Sequence, residues 1–417
     1  MTRLLQKLTN YSGMDEESMK QLHIDFRVLG VKVSYESFKT VDVGHPRRVI
    51  FSTGRRTPNE LTSETNGAVM IQENGKWRPL VIPGRTLRTD INSRFTDANL
   101  DNFDIYHINE GTCINLYAWD SEAKEESNPW RISTTKGYDM TQVKWAGKKT
   151  YLDVLHEVLQ ATGHDPDAFF KSLDPAQSYT FGFRHPDFHP WQDEHTMWFI
   201  QRATLDGGEI NYDLELDGID IPGQTPVNVQ QLKVLFRSLG PALDKYLKGE
   251  KPNFGYILRK KPGVVMNAEH HHMLLESSLL RAIRSMFYSS TLTQTATKFG
   301  YDREKYIVIK AFLTANSNKT FFGLFPRYKK HSSELIKISK KLVKSILLRY
   351  KGRSSDATAQ SAIKRLDTKY ANASAHALRL IDAKKTLTIQ TPGITRAVTT
   401  FILAPEFLPV FYDLASF

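Results

Sequence analysis

Asn109-Glu110-Gly111-Thr112-Cys113-Ile114-Asn115-Leu116-Tyr117-Ala118-Trp119 is the stretch on which the fold of this 417-residue chain turns. A polar turn containing glycine opens onto β-branched and aromatic residues, which suit a pleated surface, so Cys113 to Trp119 reads as a strand. Trp130-Arg131-Ile132-Ser133-Thr134 has the same character, and the acidic residues Asp120 to Asn128 lie between the two. The expectation is an antiparallel pair.

The same pattern extends in both directions. Upstream, Ala68-Val69-Met70-Ile71 and the run Trp77 to Ile82 flank Glu73-Asn74-Gly75-Lys76, and Asn-Gly between apolar runs signals a two-residue hairpin. Downstream, Tyr179 to Phe183 and Thr196 to Ile200 flank the polar loop His185 to His195, while Tyr256 to Leu258 and Val264 to Met266 flank Lys260 to Gly263. Both read as further hairpins. Leu152, Leu155, Val158 and Leu159 recur at helical spacing up to Gly163, and Val229, Leu232, Leu235, Phe236 and Leu239 do so over residues 228 to 247. Beyond about residue 273 strands become rare. Leu335, Ile338, Leu342 and Ile346, then Ile363, Leu366, Tyr370, Ala377 and Ile381, keep helical period. The class is therefore α+β: an antiparallel-sheet body with a helical C-terminal domain. The expected division is an N-terminal segment 1–60 packing on the core, a core 60–290, and a helical, basic part 291–417 with an apolar tail. The Ser/Ala-rich stretch Arg353 to Ala362 reads as a linker.

Composition narrows the class further. Hydrophobic residues make up 40% and charged residues 24% of the chain, which excludes a wholly disordered or fibrous protein. The net charge of +11 is uneven, because residues 321 to 385 hold 16 Lys and Arg against 4 Asp and Glu. A compact basic segment points to a polyanion. Lys337, Lys340, Lys341, Lys344 and Lys351 share one flank of the helix whose apolar stripe is Leu335, Ile338, Leu342 and Ile346, and Arg349, Arg353, Lys364, Arg365 and Lys369 extend that flank. The single cysteine, Cys113, cannot form an internal bridge, and the first residues lack the pattern of a secretory signal, so secretion is not expected. Pro405, Glu406, Pro409 and Asp413 interrupt the apolar run Val398 to Phe417, and no membrane span is expected.

Taken in order, Thr65-Asn66-Gly67-Ala68-Val69-Met70, Asn109-Glu110-Gly111-Thr112, Trp130-Arg131-Ile132-Ser133-Thr134, Tyr179-Thr180-Phe181-Gly182-Phe183 and Asn253-Phe254-Gly255-Tyr256-Ile257-Leu258 resemble the RNA-ligase branch of the covalent nucleotidyltransferases. The resemblance covers about residues 60 to 290. It is strongest to the ligase-like proteins of large DNA viruses, in which a Glu-Gly-Thr strand and a Trp-x-Leu-Ser-Thr strand recur. It implies a nucleotidyltransferase-like core and a nucleotide pocket.

The chemistry that the resemblance implies is missing from the matching positions. Active members attach a nucleotide to the lysine of a Lys-x-Asp-Gly motif, and such a lysine needs a lowered pKa beside the triphosphate. With Glu110-Gly111 in place of Asp-Gly, the nucleophile falls at Ile108. The ribose-holding carboxylate falls near Gly182, the metal-directing Glu at Phe254, and the two lysines of the Lys-x-Lys strand at Val265 and Asn267. These losses together imply a pseudoenzyme, since the electrostatics of phosphoryl transfer go with them. Lys136 and Lys144 lie near the implied pocket, but neither is followed by the acid and glycine of the motif, and both read as surface lysines. His185, His189 and His195 share a loop with Asp187, Asp193 and Glu194, and His270-His271-His272 precede an apolar run. Adjacent side chains of an extended segment alternate faces, so the triplet cannot close on one ion, and no metal site or cofactor is expected. Trp77, Trp119, Trp130, Trp191 and Trp198 read as packing residues.

The function expected is that of an inactive, RNA-ligase-like viral protein in the host cytoplasm or the virion, binding nucleic acid or virion proteins. The competing readings are an active ligase or nucleotidyltransferase with displaced motifs, and a minor capsid protein that contacts only protein.

Overall fold

A computed structural model describes residues 2–13, 15–37, 46–53, 59–84, 100–119, 128–145, 149–206, 210–211, 216, 219–264, 272–352, 357–383 and 394–417. The chain divides into two compact units. The first comprises Met1–His189, Asp193–Tyr246 and Lys251–Leu280, and the second Pro190–Gln192, Leu247–Glu250 and Arg281–Phe417.

The first unit is built on three antiparallel sheets. Strands β1 (Val31–Tyr35), β2 (Val49–Thr53), β3 (Ala68–Glu73) and β4 (Lys76–Val81) pair in sequence order. Helices α1 (Thr2–Leu8) and α2 (Glu16–Val28) lay Leu4, Leu8, Met19, Leu22 and Phe26 on one face of that sheet, against Val33, Phe51, Ala68 and Met70. Val69 and Ile71 point to the other face and meet Tyr117 and Trp119. Strand β3 is thus buried on both sides, which is why its sequence is an unbroken apolar run. The β3–β4 turn places Asn74 at φ 52° and Gly75 at φ 75°, the doubly left-handed turn that Asn-Gly favours. Helix α3 (Glu60–Thr65) leads into β3.

The central sheet has the order β12-β11-β10-β6-β7, from β6 (Thr112–Ala118), β7 (Trp130–Ser133), β10 (Gln177–Arg184), β11 (Thr196–Thr204) and β12 (Ile210–Asn211). A two-stranded ribbon, β8 (Lys144–Trp145) and β9 (Lys149–Thr150), leads into α4 (Tyr151–Ala161). Thr150 and Asp153 form a reciprocal capping box at the start of α4, and Gly163, at φ 87°, follows its end. Helix α4 and α5 (Pro166–Ser172) bury Val154, Leu155, Val158, Leu159, Phe169 and Phe170 against Ile114, Leu116, Phe181 and Phe199.

The third sheet, β14-β13-β5, joins β5 (Phe103–His107), β13 (Gly255–Lys260) and β14 (His272–Glu276), with α6 (Leu232–Leu239) packed on it. Two expectations change here. The helical period of residues 228 to 247 yields two helices, α6 and α7 (Ala242–Leu247), because Pro241 has no N–H to continue the ladder. The partner of β13 is β14, not Val264–Met266; Val265 and Asn267, like His270, His271 and the acidic residues 120–127, lie outside the described residues.

The second unit is helical: α8 (Ser278–Met286), α9 (Ser290–Lys298), α10 (Arg303–Leu313), α11 (Ala315–Leu324), α12 (Lys329–Gly352), α13 (Ala357–Lys364), α14 (Thr368–Ala383), α15 (Ile394–Ile402) and α16 (Leu408–Leu414). The 24-residue α12 is the hub, with α13, α14 and α15 against it. The expected linker is corrected in part, since residues 357–364 form α13; Arg353 lies outside the described residues. The apolar tail buries Phe407, Leu408, Val410 and Phe411. Among the described residues no single helix is long and apolar enough to cross a membrane.

Candidate functional site

The glycines of the central sheet mark the region where the sequence anticipated a pocket. Gly182 pairs with Cys113 of β6 on one side and with Trp198 of β11 on the other. A Cβ at Gly182 would stand 2.1 Å from the Trp198 ring, and one at Gly111 would stand 2.6 Å from the same ring and 2.4 Å from Phe183 O. Both glycines are therefore needed so that the indole can lie against the backbone. Trp198 is only 2% exposed, and the side chains of Ile108 and Phe254 are buried with it, at 7% and 4%.

Arg184 ends β10 beside these residues. Its Nε and Nη2 donate to Glu110 O at 3.1 and 3.0 Å, and its guanidinium carbon lies 6.0 Å from the Trp198 ring centre and 5.9 Å from that of Phe254. Burial pushes the guanidinium below its ordinary pKa, against the fields of Glu110, Glu194 and Tyr246, which favour the charge. Ile108 N–H donates to Gly255 O at 3.0 Å. Gly255 itself sits at φ 122°, with Leu275 O only 1.9 Å from where a Cβ would be and Ile108 Cδ1 3.1 Å from it. The structure thus brings Ile108, Glu110, Gly111, Gly182 and Phe254 into one neighbourhood. Lys136 and Lys144 are exposed.

The loop between β10 and β11 packs against α4 through a polar cluster. His185 Nδ1 accepts from Asp187 N–H at 3.1 Å, which leaves its Nε2 to donate to Glu157 Oε2 at 2.8 Å; Lys149 Nζ donates to the same carboxylate at 2.6 Å. Burial would raise the Glu157 pKa, but these two hydrogen bonds outweigh it and hold it below the usual value. His189 Nε2 is 3.1 Å from Thr112 Oγ1, and burial depresses this imidazole to about 3, so it is neutral at ordinary pH. Trp145 stacks between Phe188 and Tyr151, at 4.4 and 5.0 Å. No group of three or more His, Cys, Asp or Glu among the described residues is arranged to hold a metal ion.

A second polar centre was invisible in the sequence. Arg48, on the approach to β2, donates to Glu36 through Nε at 2.9 Å, to Asp139 at 2.9 Å and to Tyr117 Oη at 3.1 Å, between the rings of Trp119 and Tyr138 at 5.3 and 5.2 Å. Burial works against its charge, yet Glu36, Tyr117 and Asp139 hold it firmly protonated. The partners lie 12, 69 and 91 residues away in the chain, so no local pattern signals them. Arg184 escaped notice for the same reason, its contact being to a backbone carbonyl 74 residues distant.

In the second unit, α12 buries Leu335, Ile338, Leu342 and Ile346 and exposes Lys337, Lys340, Lys341, Lys344 and Lys351. Lys340, Lys344 and Lys351 line a cleft of about 450 Å³ together with Val343, Leu347 and Leu348 and with Thr395 and Thr399 of α15. Lys341 lies instead over the Tyr370 ring of α14, 5.5 Å from its centre. Arg349 departs from the expected basic flank: its Nε donates to Ser374 Oγ and its Nη2 to Ala371 O, both at 2.9 Å, which ties α12 to α14.

Two relatives share this chain's sequence along most of its length. A protein of African swine fever virus (strain Badajoz 1971 Vero-adapted) named "Putative RNA-ligase" is 26% identical over 312 residues, covering 68% of each chain. Its counterpart from isolate Tick/Malawi/Lil 20-1/1983 is 25% identical over 334 residues, covering 73% of each. The chain is RNA-ligase-like. An archaeal ATP-dependent RNA ligase superposes on 81% of this RNA-ligase-like chain and 82% of its own, with a TM-score of 0.42 and 10% identity. No protein-family model matches.

Proposed function

We propose that this RNA-ligase-like protein of a large DNA virus is catalytically inert and binds nucleic acid through α12. The observation that supports inertness most is the packing of Trp198, Ile108 and Phe254 around Glu110-Gly111, where a ligase needs a lysine nucleophile and room for a nucleotide. The residues from Val264 to Glu276, which include β14, the strand paired with β13, contain no lysine or arginine. A triphosphate would find no cation there to neutralise it. The reading puts the protein in the host cytoplasm or in the virion.

Incubation with radiolabelled ATP or GTP and Mg²⁺ or Mn²⁺, followed by a denaturing gel, is the test; no labelled protein is expected, and an acid-labile adduct would overturn the reading. Ile108→Lys alone should leave the gel blank, because the phosphate and metal contacts are still missing. The name carried by the viral relatives favours a second reading, an active ligase with a displaced nucleophile. On that reading the adduct forms and maps to a lysine such as Lys136 or Lys144.

A further inference from the structure

The second unit carries a series of stacked aromatic rings that ends at the surface. Phe299, which closes α9, stacks on Tyr301 at 5.7 Å and 25°, and Tyr301 stacks on Tyr412 of α16 at 4.0 Å and 26°. The inner end of the series is closed: Lys305 Nζ lies 4.4 Å from the Tyr412 ring centre, and Tyr412 Oη accepts Asp302 N–H at 2.7 Å. The outer end is open, because Phe299 is 59% exposed, more than any other large apolar residue among the described residues of this unit. Gly300, at φ 66°, turns the chain so that rings on either side of it in sequence can stack.

We propose that Phe299 is a stacking platform for an unpaired nucleobase. The series ends in an exposed ring, and a base of any identity can stack on such a ring without sequence-specific hydrogen bonds. The charge of the unit as a whole suits a polyanion: residues 281–417 hold 24 Lys and Arg against 8 Asp and Glu, and Lys298, next to Phe299 in sequence, is exposed. Two carboxylates face the series, but Asp302 is engaged in capping α10 through Lys305 N–H, leaving Asp413 opposite Tyr301. A duplex keeps its bases paired and offers a free face only at its ends, so the platform selects single strands and overhangs. This deepens the proposed nucleic-acid binding by naming the kind of nucleic acid, and it rests on that reading.

The test uses the full chain with a single-stranded RNA carrying 2-aminopurine and with a blunt duplex of the same length. Phe299→Ala is expected to weaken single-strand binding by roughly 5- to 150-fold and to remove the 2-aminopurine quenching, with duplex binding unchanged. Phe299→Trp should restore both, while Phe299→Leu, apolar but unable to stack, should not. Wild-type affinity and quenching in Phe299→Ala, or wild-type behaviour in Phe299→Leu, would overturn the proposal; the second result would mark the residue as an apolar protein contact. Lys340→Gln/Lys344→Gln/Lys351→Gln separates the two readings. If that variant loses affinity for single strand and duplex alike while Phe299→Ala loses nothing, the platform fails and binding through α12 stands. If neither variant nor wild type binds RNA, both fail.

Discussion

Two residues show how much can depend on one position. Gly182 faces the Trp198 indole at a distance that no side chain could share, and that indole is hemmed in by Gly111 and the Arg184 guanidinium. Gly182→Ala is therefore expected to destabilise the first unit by about 1–3 kcal/mol, the usual result of overpacking; denaturant unfolding followed by tryptophan emission would measure it. His189 makes a statement about pH. Its folded-state pKa of about 3 lies below the usual imidazole value of 6.5, so the unfolded chain binds the proton more readily. The stability contributed by neutral His189 is complete above pH 6.5 and is lost as pH falls from there toward 3. Between pH 7.5 and 5.5 the loss attributable to this residue is about 1.4 kcal/mol. His107 and His195, also held low by burial, add to the same slope, so urea midpoints for His189→Gln should show a flatter pH dependence than wild type, not a level one.

At the scale of elements, the legibility of the sequence tracked how local each signal was. The β3–β4 hairpin was readable because Asn74-Gly75 dictates its own turn, and α4 because its apolar stripe, capping box and terminal glycine all lie within 14 residues. The partner of β13 was not readable, because strand pairing across a long connection leaves no local trace and Val264–Met266 offered an apolar run nearer at hand. The candidate site was half legible: the order of short motifs named Ile108, Glu110, Gly111, Gly182 and Phe254, which lie in one neighbourhood, but Trp198 and Arg184 arrive beside them from β11 and the end of β10 through tertiary packing. Helix α12 divides in the same way. Period 3.6 separated its buried from its exposed face, whereas only its neighbours reveal that Arg349 serves α14 while Lys340, Lys344 and Lys351 line an open cleft. Replacing those three lysines by glutamine should reduce the log–log salt dependence of single-strand binding by about 2 without changing thermal stability. Arg349→Ala should do the opposite, lowering the melting temperature and leaving the salt slope in place; a filter-binding salt series beside calorimetry checks both.

Across the whole molecule, charge is segregated by unit. Residues 281–417 carry a formal +16, so residues 1–280 carry −5. A polyanion is attracted to one end of the chain and mildly repelled by the other, and ultraviolet cross-linking to RNA with peptide mapping should yield adducts almost wholly within residues 281–417. The sequence showed this imbalance directly, since net charge needs no fold to be read. Arg48 adds a consequence for how the chain is made. It is paired with Glu36, which precedes it, and with Asp139, which leaves the ribosome some ninety residues later. Glu36 alone balances the formal charge, while the Tyr117 hydroxyl and Asp139 supply the remaining hydrogen bonds of the guanidinium where the first sheet packs on Tyr117 and Trp119, and a buried guanidinium left without such partners is costly. The hydrogen-bond shell of Arg48 is therefore expected to be complete only in chains long enough to include Tyr117 and Asp139.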